Sequence, residues 1–544
     1  MKVIVTVIFF LLHTTLLPAQ TLGLTEYIPG NADGYVLFSP MMATETYLID
    51  KCGEKVHSWN TSAYRPGLAT YLLEDGSLVK TGVFNNANFD AGGSGGIIER
   101  YDWNGNLVWS YQLSDAEQCQ HHDLQVMPNG HILAIVWDRY SQADAIANGK
   151  NTNYANNYLW SEKIVELQPE GINGASVVWE WKLWDHLVQD FNAALPHYGT
   201  VADHPELVDI NFFPGPPASM DWIHFNSIDY NENLDQILVS SHTLCEVWII
   251  DHSTTSAEAA SHAGGNANKG GDLLYRWGNP QAYDRGNPSN KIFYGQHHAT
   301  WIPEGFPNEG KILVFNNGLN RPGTYSSIDI IEPPVNATGQ YAINWGNAYL
   351  PTALTWTYTA PTPSDFYSNN ISGVYPLNDG SFMICSGTSG TFFEIDPLAQ
   401  KMWEYVNPII QGTIGTQGEV PTNNLVFRCN FYPSDYAAFT GRDLTAQGMI
   451  ENNPLEPSLC SSVQNVYSVS NEVIQIYPNP FSTQFTIDTK GLGSFTYEVY
   501  DVYGKMITQG QNDRSVDLSE FSAGSYFVKV FSAEKMWVRC VVKD

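Results

Sequence analysis

Basic residues are scarce in this sequence: 26 Lys and Arg stand against 56 Asp and Glu in 544 residues, a formal charge of −30. A duplex-binding surface needs clustered cations, so the balance argues against nucleic acid as a partner. Cysteine is scarce too. The seven, Cys52, Cys119, Cys245, Cys385, Cys429, Cys460 and Cys540, form no CxxC, which argues against a zinc knuckle. No stretch after residue 20 offers about 18 uninterrupted apolar residues, so no membrane span is expected in the mature chain. Phosphate-loop chemistry is also missing. Lys269, in the Gly-rich stretch 253–271, is followed by neither Ser/Thr nor a helix. Gly92-Gly93-Ser94-Gly95-Gly96 fits a nucleophile-elbow pattern, but no helical pattern follows it.

What is present is a large apolar fraction, 43% hydrophobic and 13% aromatic, enough for a substantial core. The length exceeds one ordinary domain. Met1-Lys2, the apolar run Val3–Leu17 and Pro18-Ala19-Gln20 read as a secretory signal peptide over residues 1–20. An odd cysteine count in an exported chain leaves a free thiol; most cysteines are expected as buried small apolar residues, with room for one disulfide.

Residues 21–449 carry a repeat. An outer hairpin, with an apolar strand ending near Asp or Glu and a return strand ending in Trp, occurs six times, closing at Trp59, Trp109, Trp179/Trp181, Trp277, Trp345 and Trp403. Between copies sits an inner hairpin with an acidic or Asn turn, as in LQVMPNGHILAIV and VYPLNDGSFMICS; IDYNENLDQILVS lacks the turn glycine. Four strands per unit and six units predict an all-β chain folded as a six-bladed β-propeller. Residues 423–436 supply the strand that completes the unit begun by residues 34–60. Residues 183–222 are expected to hold a short helix and form a lid.

Residues 450–473 read as a linker, and 474–544 as a small β-sandwich of short alternating strands. This tail resembles the C-terminal sorting domain of the type IX secretion system. The matching residues are Tyr477-Pro478-Asn479-Pro480, Val499-Tyr500-Asp501 with Gly504-Lys505, and Leu518-Ser519 with Ala523-Gly524-Ser525-Tyr526. The resemblance implies export through the periplasm, release or anchoring at the outer surface, and the type IX machinery as a partner.

In a propeller, residues just before each inner hairpin converge. Those positions are Arg65, His121-His122-Asp123, Asp221 to Asn226, Gln296-His297-His298, Ser368 to Ser372, and Arg428. Histidines from three units admit two readings. One is a metal site, for which carboxylates are few. The other is anion chemistry, with neutral His as nucleophile and Arg, His and Asn holding an oxyanion. Two arginines favour an anionic ligand.

HHDLQVMPNGHIL, DWIHFNSIDYNENLDQILVSSH, GQHHATWIPEG with KILVFNNG, and FRCNFYPSDYAAFTGRDL are similar to the bacterial arylsulfotransferases over about residues 30–445. The resemblance implies sulfuryl transfer from an aryl sulfate to a phenolic acceptor through a sulfohistidine, with no cofactor, nucleotide sulfate donor or metal. It places His297 as nucleophile, with His298 the runner-up, and alternation along a strand admits only one of the two to the channel. His224 and His122 become sulfuryl-oxygen or leaving-group partners. Asn226, Arg428, His121, His242, Arg65 and Trp222 are candidates for binding substrate, Trp222, Phe225 and Trp301 by stacking. The chain departs from the family where Arg commonly follows Ser-Ser: it has Ser240-Ser241-His242, so the cation is expected from His242, Arg276, Arg321 or Arg428. Phe315-Asn316-Asn317-Gly318 also has Asn where an Asp is frequent. The other function class is a secreted, non-catalytic propeller binding sulfated glycans or phenolics.

Overall fold

Strand segments here alternate β-branched and aromatic residues with polar ones, and the turns between them take residues that tolerate positive φ. Gly130 in the Asn129-Gly130 turn has φ +83°. The hairpin without a glycine uses Asp235 at φ +50°, a conformation Asp tolerates better than most side chains. The computed structural model describes residues 20–544 except 61, 155, 214–219, 344–345, 456–459, 461–467, 470–473, 490–493, 502–504 and 533–534. The expected signal peptide (save Gln20), Trp345, Gly504 and most of the linker 450–473 lie outside the described residues.

Two compact units meet between Leu455 and Glu456. Among the described residues the first holds six antiparallel sheets of four or five strands. Their leading strands are β1 (Pro66–Leu72), β2 (Gln118–Val126), β3 (Phe225–Asn231), β4 (His297–Trp301), β5 (Gly373–Pro376) and β6 (Val426–Pro433). Five sheets continue outward in chain order. The sixth joins the two ends of the unit: β6 pairs with Gly34–Pro40, and Thr46–Asp50 and Lys55–Trp59 follow. Gly23–Tyr27, which carries no repeat signal, adds a fifth strand beside Lys401–Val406.

The leading strands are joined one to the next by side chains that meet their unpaired edges. Tyr71 of β1 donates to Asp123 of β2 at 2.7 Å, and Asp123 accepts the Ile228 N–H of β3 at 3.2 Å. The Ala299 N–H of β4 donates to Ser227 of β3 at 3.0 Å, and the Val374 N–H of β5 to Nδ1 of His298 at 3.0 Å. Tyr375 of β5 donates to Asn430 of β6, whose amide donates to the Thr70 carbonyl of β1, each at 2.5 Å. An edge left without acceptors would be costly to bury.

The repeated tryptophans do the equivalent work at the outer strands. Trp59 donates its indole N–H to the Asp102 carbonyl, Trp109 to Gly174, Trp181 to Gly271, Trp277 to Pro351 and Trp403 to Lys51, at 2.7–3.1 Å. Each bond runs to the next sheet: Trp403 of the fifth reaches Lys51 of the sixth, and Trp59 of the sixth reaches Asp102 of the first. In the fourth sheet the outer strand is Trp356–Tyr358, later in the chain than the expected segment. The chain between this strand and Ser327–Ile331 is a long irregular excursion that alternation alone had shortened.

Residues 183–222 form no α-helix among the described residues. They are 3₁₀ turns and a two-residue parallel pair, Leu187–Val188 with Val208–Asp209. Their apolar spacing serves burial of Leu183, Leu187, Val208 and Ile210. Two short helices arise instead at loop tips, α1 (Gln142–Ala147) and α2 (Ser256–Ala259), each with a capping box. Cys119, Cys245, Cys385 and Cys429 are buried free thiols, and Cys540 is an exposed one. The second unit has a five-stranded and a three-stranded sheet whose buried residues, Phe485, Val499, Val528 and Trp537 among them, form one cluster.

Candidate active site

β2, β3 and β4 share an irregularity where the histidines lie. Register breaks opposite residues 120–124, at Phe225/Ser227 and at His297/Ala299. His122, His224 and His298 have φ of +50°, +57° and +50°. A side chain in that region costs about 1–3 kcal/mol and persists only where surroundings hold it. The His122 N–H donates to the Gly93 carbonyl, and the His224 carbonyl accepts the His242 N–H. Gln296 pins the start of β4 by donating to Ser240, Ser241 and Glu246 at 2.9–3.0 Å. Bulges re-aim side chains, and here they gather rings from separate sheets.

Ring centroids run His122–His224 at 4.5 Å, His224–His242 at 5.2 Å and His242–His297 at 5.2 Å. Phe427 lies 6.2 Å from His122 and 6.5 Å from His297. His297 is 2% exposed and His122 3%, whereas His224 and His242 are half-buried, so the cluster opens at those two.

The hydrogen bonds distinguish the rings. Asn317 donates its amide hydrogens to the Ser368 and Ile371 carbonyls at 2.8 and 2.9 Å, so its Oδ1, 2.8 Å from Nδ1 of His297, is an acceptor. The Gly295 carbonyl also faces that nitrogen at 3.3 Å. Nδ1 of His297 therefore carries the hydrogen and Nε2 keeps its lone pair. Burial, then His242, His224 and Arg428, hold His297 well below the ordinary imidazole value despite the Asn317 bond. It is neutral.

His224 is the opposite case. Its Nδ1 lies 2.5 Å from Asp221 Oδ2, and Asp221 Oδ1 accepts the Trp137 indole N–H at 3.2 Å. Burial alone would lower its pKa, but Asp221 and Glu162 together raise it, favouring the imidazolium. Burial, with His224, pushes His242 down to about 3, Lys291 adding to the effect. His122 is held far below its usual value by burial and by its histidine neighbours.

Behind His122 runs a buried chain. Nδ1 of His122 is 2.8 Å from Nδ1 of His121, and Nε2 of His121 is 2.9 Å from Glu162. His121 stacks on Trp137 at 4.1 Å with no exposed surface. It backs His122 and exposes no surface of its own, where substrate contact was expected.

Other expected residues sit elsewhere as well. Trp222 is fully buried among Ile210, Ile223 and Leu244, with the Lys150 ammonium over its ring at 5.1 Å. Phe225 and Trp301 are core residues too, so none of the three presents a stacking face. Arg65 is exposed just before β1. His298 accepts from β5 and packs against Tyr375 at 4.6 Å. Asn226 donates to the Gln296 carbonyl at 2.7 Å.

The arginines are engaged. Arg428 donates to Asp123 at 2.6 Å and to the Asn226 carbonyl at 2.7 Å, so Asp123 serves an arginine and not a histidine. Its Nε is buried without a partner, and its guanidinium lies 4.4 Å from the Phe427 ring centroid. Arg276 is buried against Glu246 at 2.5 Å. Arg321 donates to Ser327 and covers Tyr294 and Tyr325. Lys291, unnoticed in the sequence, holds its ammonium 4.7 Å from the Tyr294 ring and acts on His242. Glu162, Asn317 and Phe427 were also missed; only the Asn-for-Asp departure in Phe315-Asn316-Asn317-Gly318 offered a signal.

A family model described as arylsulfotransferase (ASST) matches residues 42–428, which contain the four clustered histidines. The chain belongs to the arylsulfotransferase family. Sulfotransferase activity on aryl substrates is the activity this family supports. A second model, the secretion system C-terminal sorting domain, matches residues 475–544 and marks this arylsulfotransferase-family chain for export to the cell surface or beyond. No curated protein matches the chain significantly. Among solved structures it is similar to a protein of unknown function from Bacteroides caccae, with 11% identity over 73% of this chain and 98% of that one and a TM-score of 0.40. It is also similar to virginiamycin B lyase from Staphylococcus aureus, with 12% identity over 73% and 87% and a TM-score of 0.34. No helix of the described residues is long and apolar enough to cross a membrane.

Proposed function

We propose that the six sheets are the blades of a β-propeller over residues 21–449, and that its central imidazoles move a sulfuryl group from an aryl sulfate to a phenol through a sulfohistidine at His297. The observation that carries this reading is the pairing of opposite protonation states: a neutral His297 with Nε2 free, and a His224 charged by Asp221, bridged by His242.

In the first half-reaction the Nε2 lone pair of His297 forms the N–S bond as the S–O bond to the aryl group breaks. The departing phenolate takes the Nε2 proton of His224, a contribution of about 10²–10⁴-fold. In the second, neutral His224 removes the acceptor phenol's proton, the phenolate oxygen bonds sulfur and the N–S bond breaks. The centre is transferred as in loose phosphoryl transfer, so in-line placement and charge matter most. His122 Nε2 and Lys291 are assigned to hold sulfuryl oxygens, and the donor is a simple aryl ester in place of a nucleotide. The tail engages the type IX machinery and the chain acts outside the cell.

Incubation with p-nitrophenyl sulfate, with and without phenol, tests the reading. Acceptor-dependent nitrophenol release and a sulfuryl adduct in the intact mass, absent in His297→Ala, are expected. Reversible binding without turnover would make the cluster a binding site, and an adduct persisting in His297→Ala would move the nucleophile.

A further inference from the structure

A second histidine cluster joins the Gly-rich excursion 253–271 to the body of the unit. His186 is fully buried, lies parallel to Trp181 with centroids 5.7 Å apart, and its Nε2 is 2.8 Å from the Ala259 carbonyl. A carbonyl only accepts, so Nε2 carries a hydrogen and Nδ1 is the atom turned toward Asp272. That nitrogen meets Oδ1 of buried Asp272 at 2.8 Å. Nδ1 of His262, a side chain 61% exposed, reaches the same oxygen at 2.7 Å. The three ligand atoms lie within 4.8 Å of one another.

Two imidazole nitrogens that meet one carboxylate oxygen call for something positive between them, a proton or a metal ion. We propose that His186, His262 and Asp272 bind a divalent transition-metal ion, best matched by zinc, through His186 Nδ1, His262 Nδ1 and an Asp272 oxygen. Two imidazoles and one carboxylate suit zinc better than calcium or magnesium. The His186 N–H on a backbone carbonyl is the outer contact that fixes the ligating tautomer of a metal-bound histidine. Tetrahedral zinc with bonds of about 2.0–2.1 Å separates its ligand atoms by roughly 3.3 Å, so the present contacts open by about half an ångström on binding. Water completes the shell on the exposed His262 side. The ion clamps the excursion carrying α2 onto the loop at 183–186. The site is independent of the sulfuryl chemistry proposed above.

The test uses the full chain stripped of metal by chelator. Isothermal titration with zinc is expected to give one equivalent and a raised Tm, and cobalt(II) a visible absorption of low coordination number. His262→Ala, an exposed change that spares the core, should weaken binding at least about 10-fold and abolish the Tm rise, and Asp272→Asn should behave alike. Absence of saturable zinc binding overturns the assignment; a proton on His186 then accounts for the contact. Binding that survives His262→Ala but is lost in His242→Ala overturns it equally, because the zinc then sits among the four clustered imidazoles.

Discussion

Asn317 accepts, through Oδ1, the hydrogen on Nδ1 of His297 at 2.8 Å, and both its own amide hydrogens are committed to carbonyls. A neutral acceptor orients the ring and favours its charged form too weakly to offset burial. Asn317→Asp should stabilise the imidazolium and move the acid limb of the kcat/KM profile upward by about 1–3 pH units. Asn317→Ala, which frees the ring, is expected to lower kcat about 10²-fold. Profiles of the three proteins on one aryl sulfate decide it; an unmoved limb in Asn317→Asp would separate this contact from the reaction.

His298, adjacent to the proposed nucleophile, should behave as a structural residue. Its Nδ1 accepts the Val374 N–H of the next sheet at 3.0 Å. His298→Ala leaves that donor buried and unpaired, at a cost of about 1–3 kcal/mol. Denaturant unfolding should register the loss while the sulfuryl adduct still forms.

The acid role proposed for His224 has a signature in the leaving group. Asp221→Asn removes the first of the groups that raise its pKa, so the imidazolium should deprotonate at lower pH and the alkaline limb of kcat should shift down. Phenyl sulfate, a poorer leaving group, should lose more rate than p-nitrophenyl sulfate. Equal losses on both substrates would point to a role other than proton donation.

Glu162 governs which way the chain through His121 to His122 is polarised. An ionised Glu162 accepts from His121, which then accepts from His122 Nδ1, leaving His122 Nε2 as an acceptor; a protonated Glu162 reverses every bond. Burial raises this carboxyl well above its usual range, Asp221 adding to the effect. Glu162→Gln keeps the shape but fixes donors at that end. It therefore mimics the protonated acid and should keep kcat within about threefold, whereas Glu162→Ala, which removes the donor, should lower kcat about 10-fold or more with KM nearly unchanged, since positioning acts on the transition state. A rise in KM alone would assign Glu162 to folding.

His252 offers a stability test away from the site. It lies between Asp235 at 2.7 Å and Glu166 at 3.1 Å, and although burial opposes its charge, these carboxylates raise it to about 9. Because the folded value exceeds the unfolded one, its contribution is complete below about pH 6.5 and fades as pH rises through 9. Thermal unfolding should show wild type losing on the order of 2–3 kcal/mol across that window. His252→Gln should be less stable at pH 6 and flatter above it; parallel curves would remove His252 from the linkage.

Strands, turns and the repeated tryptophans were legible because their signals are local. Alternation has a period of two, a turn needs one residue of positive φ, and each Trp recurs at the same place in its hairpin. The Gln296-His297 and Asp221-to-His224 stretches stood out for the same reason. Partners far along the chain were not legible. Arg428 finds Asp123 across 305 positions, His121 finds Glu162 across 41, and Trp222 is buried by sheets that its own sequence does not contain. Nor did alternation expose the bulges at His122, His224 and His298, since a single left-handed residue leaves the apolar pattern on either side intact. Composition and order thus determined an all-β chain with an export tail. Only the meeting of separate sheets decided which histidine is neutral and which charged, because protonation depends on burial and on neighbours that the backbone must first bring together.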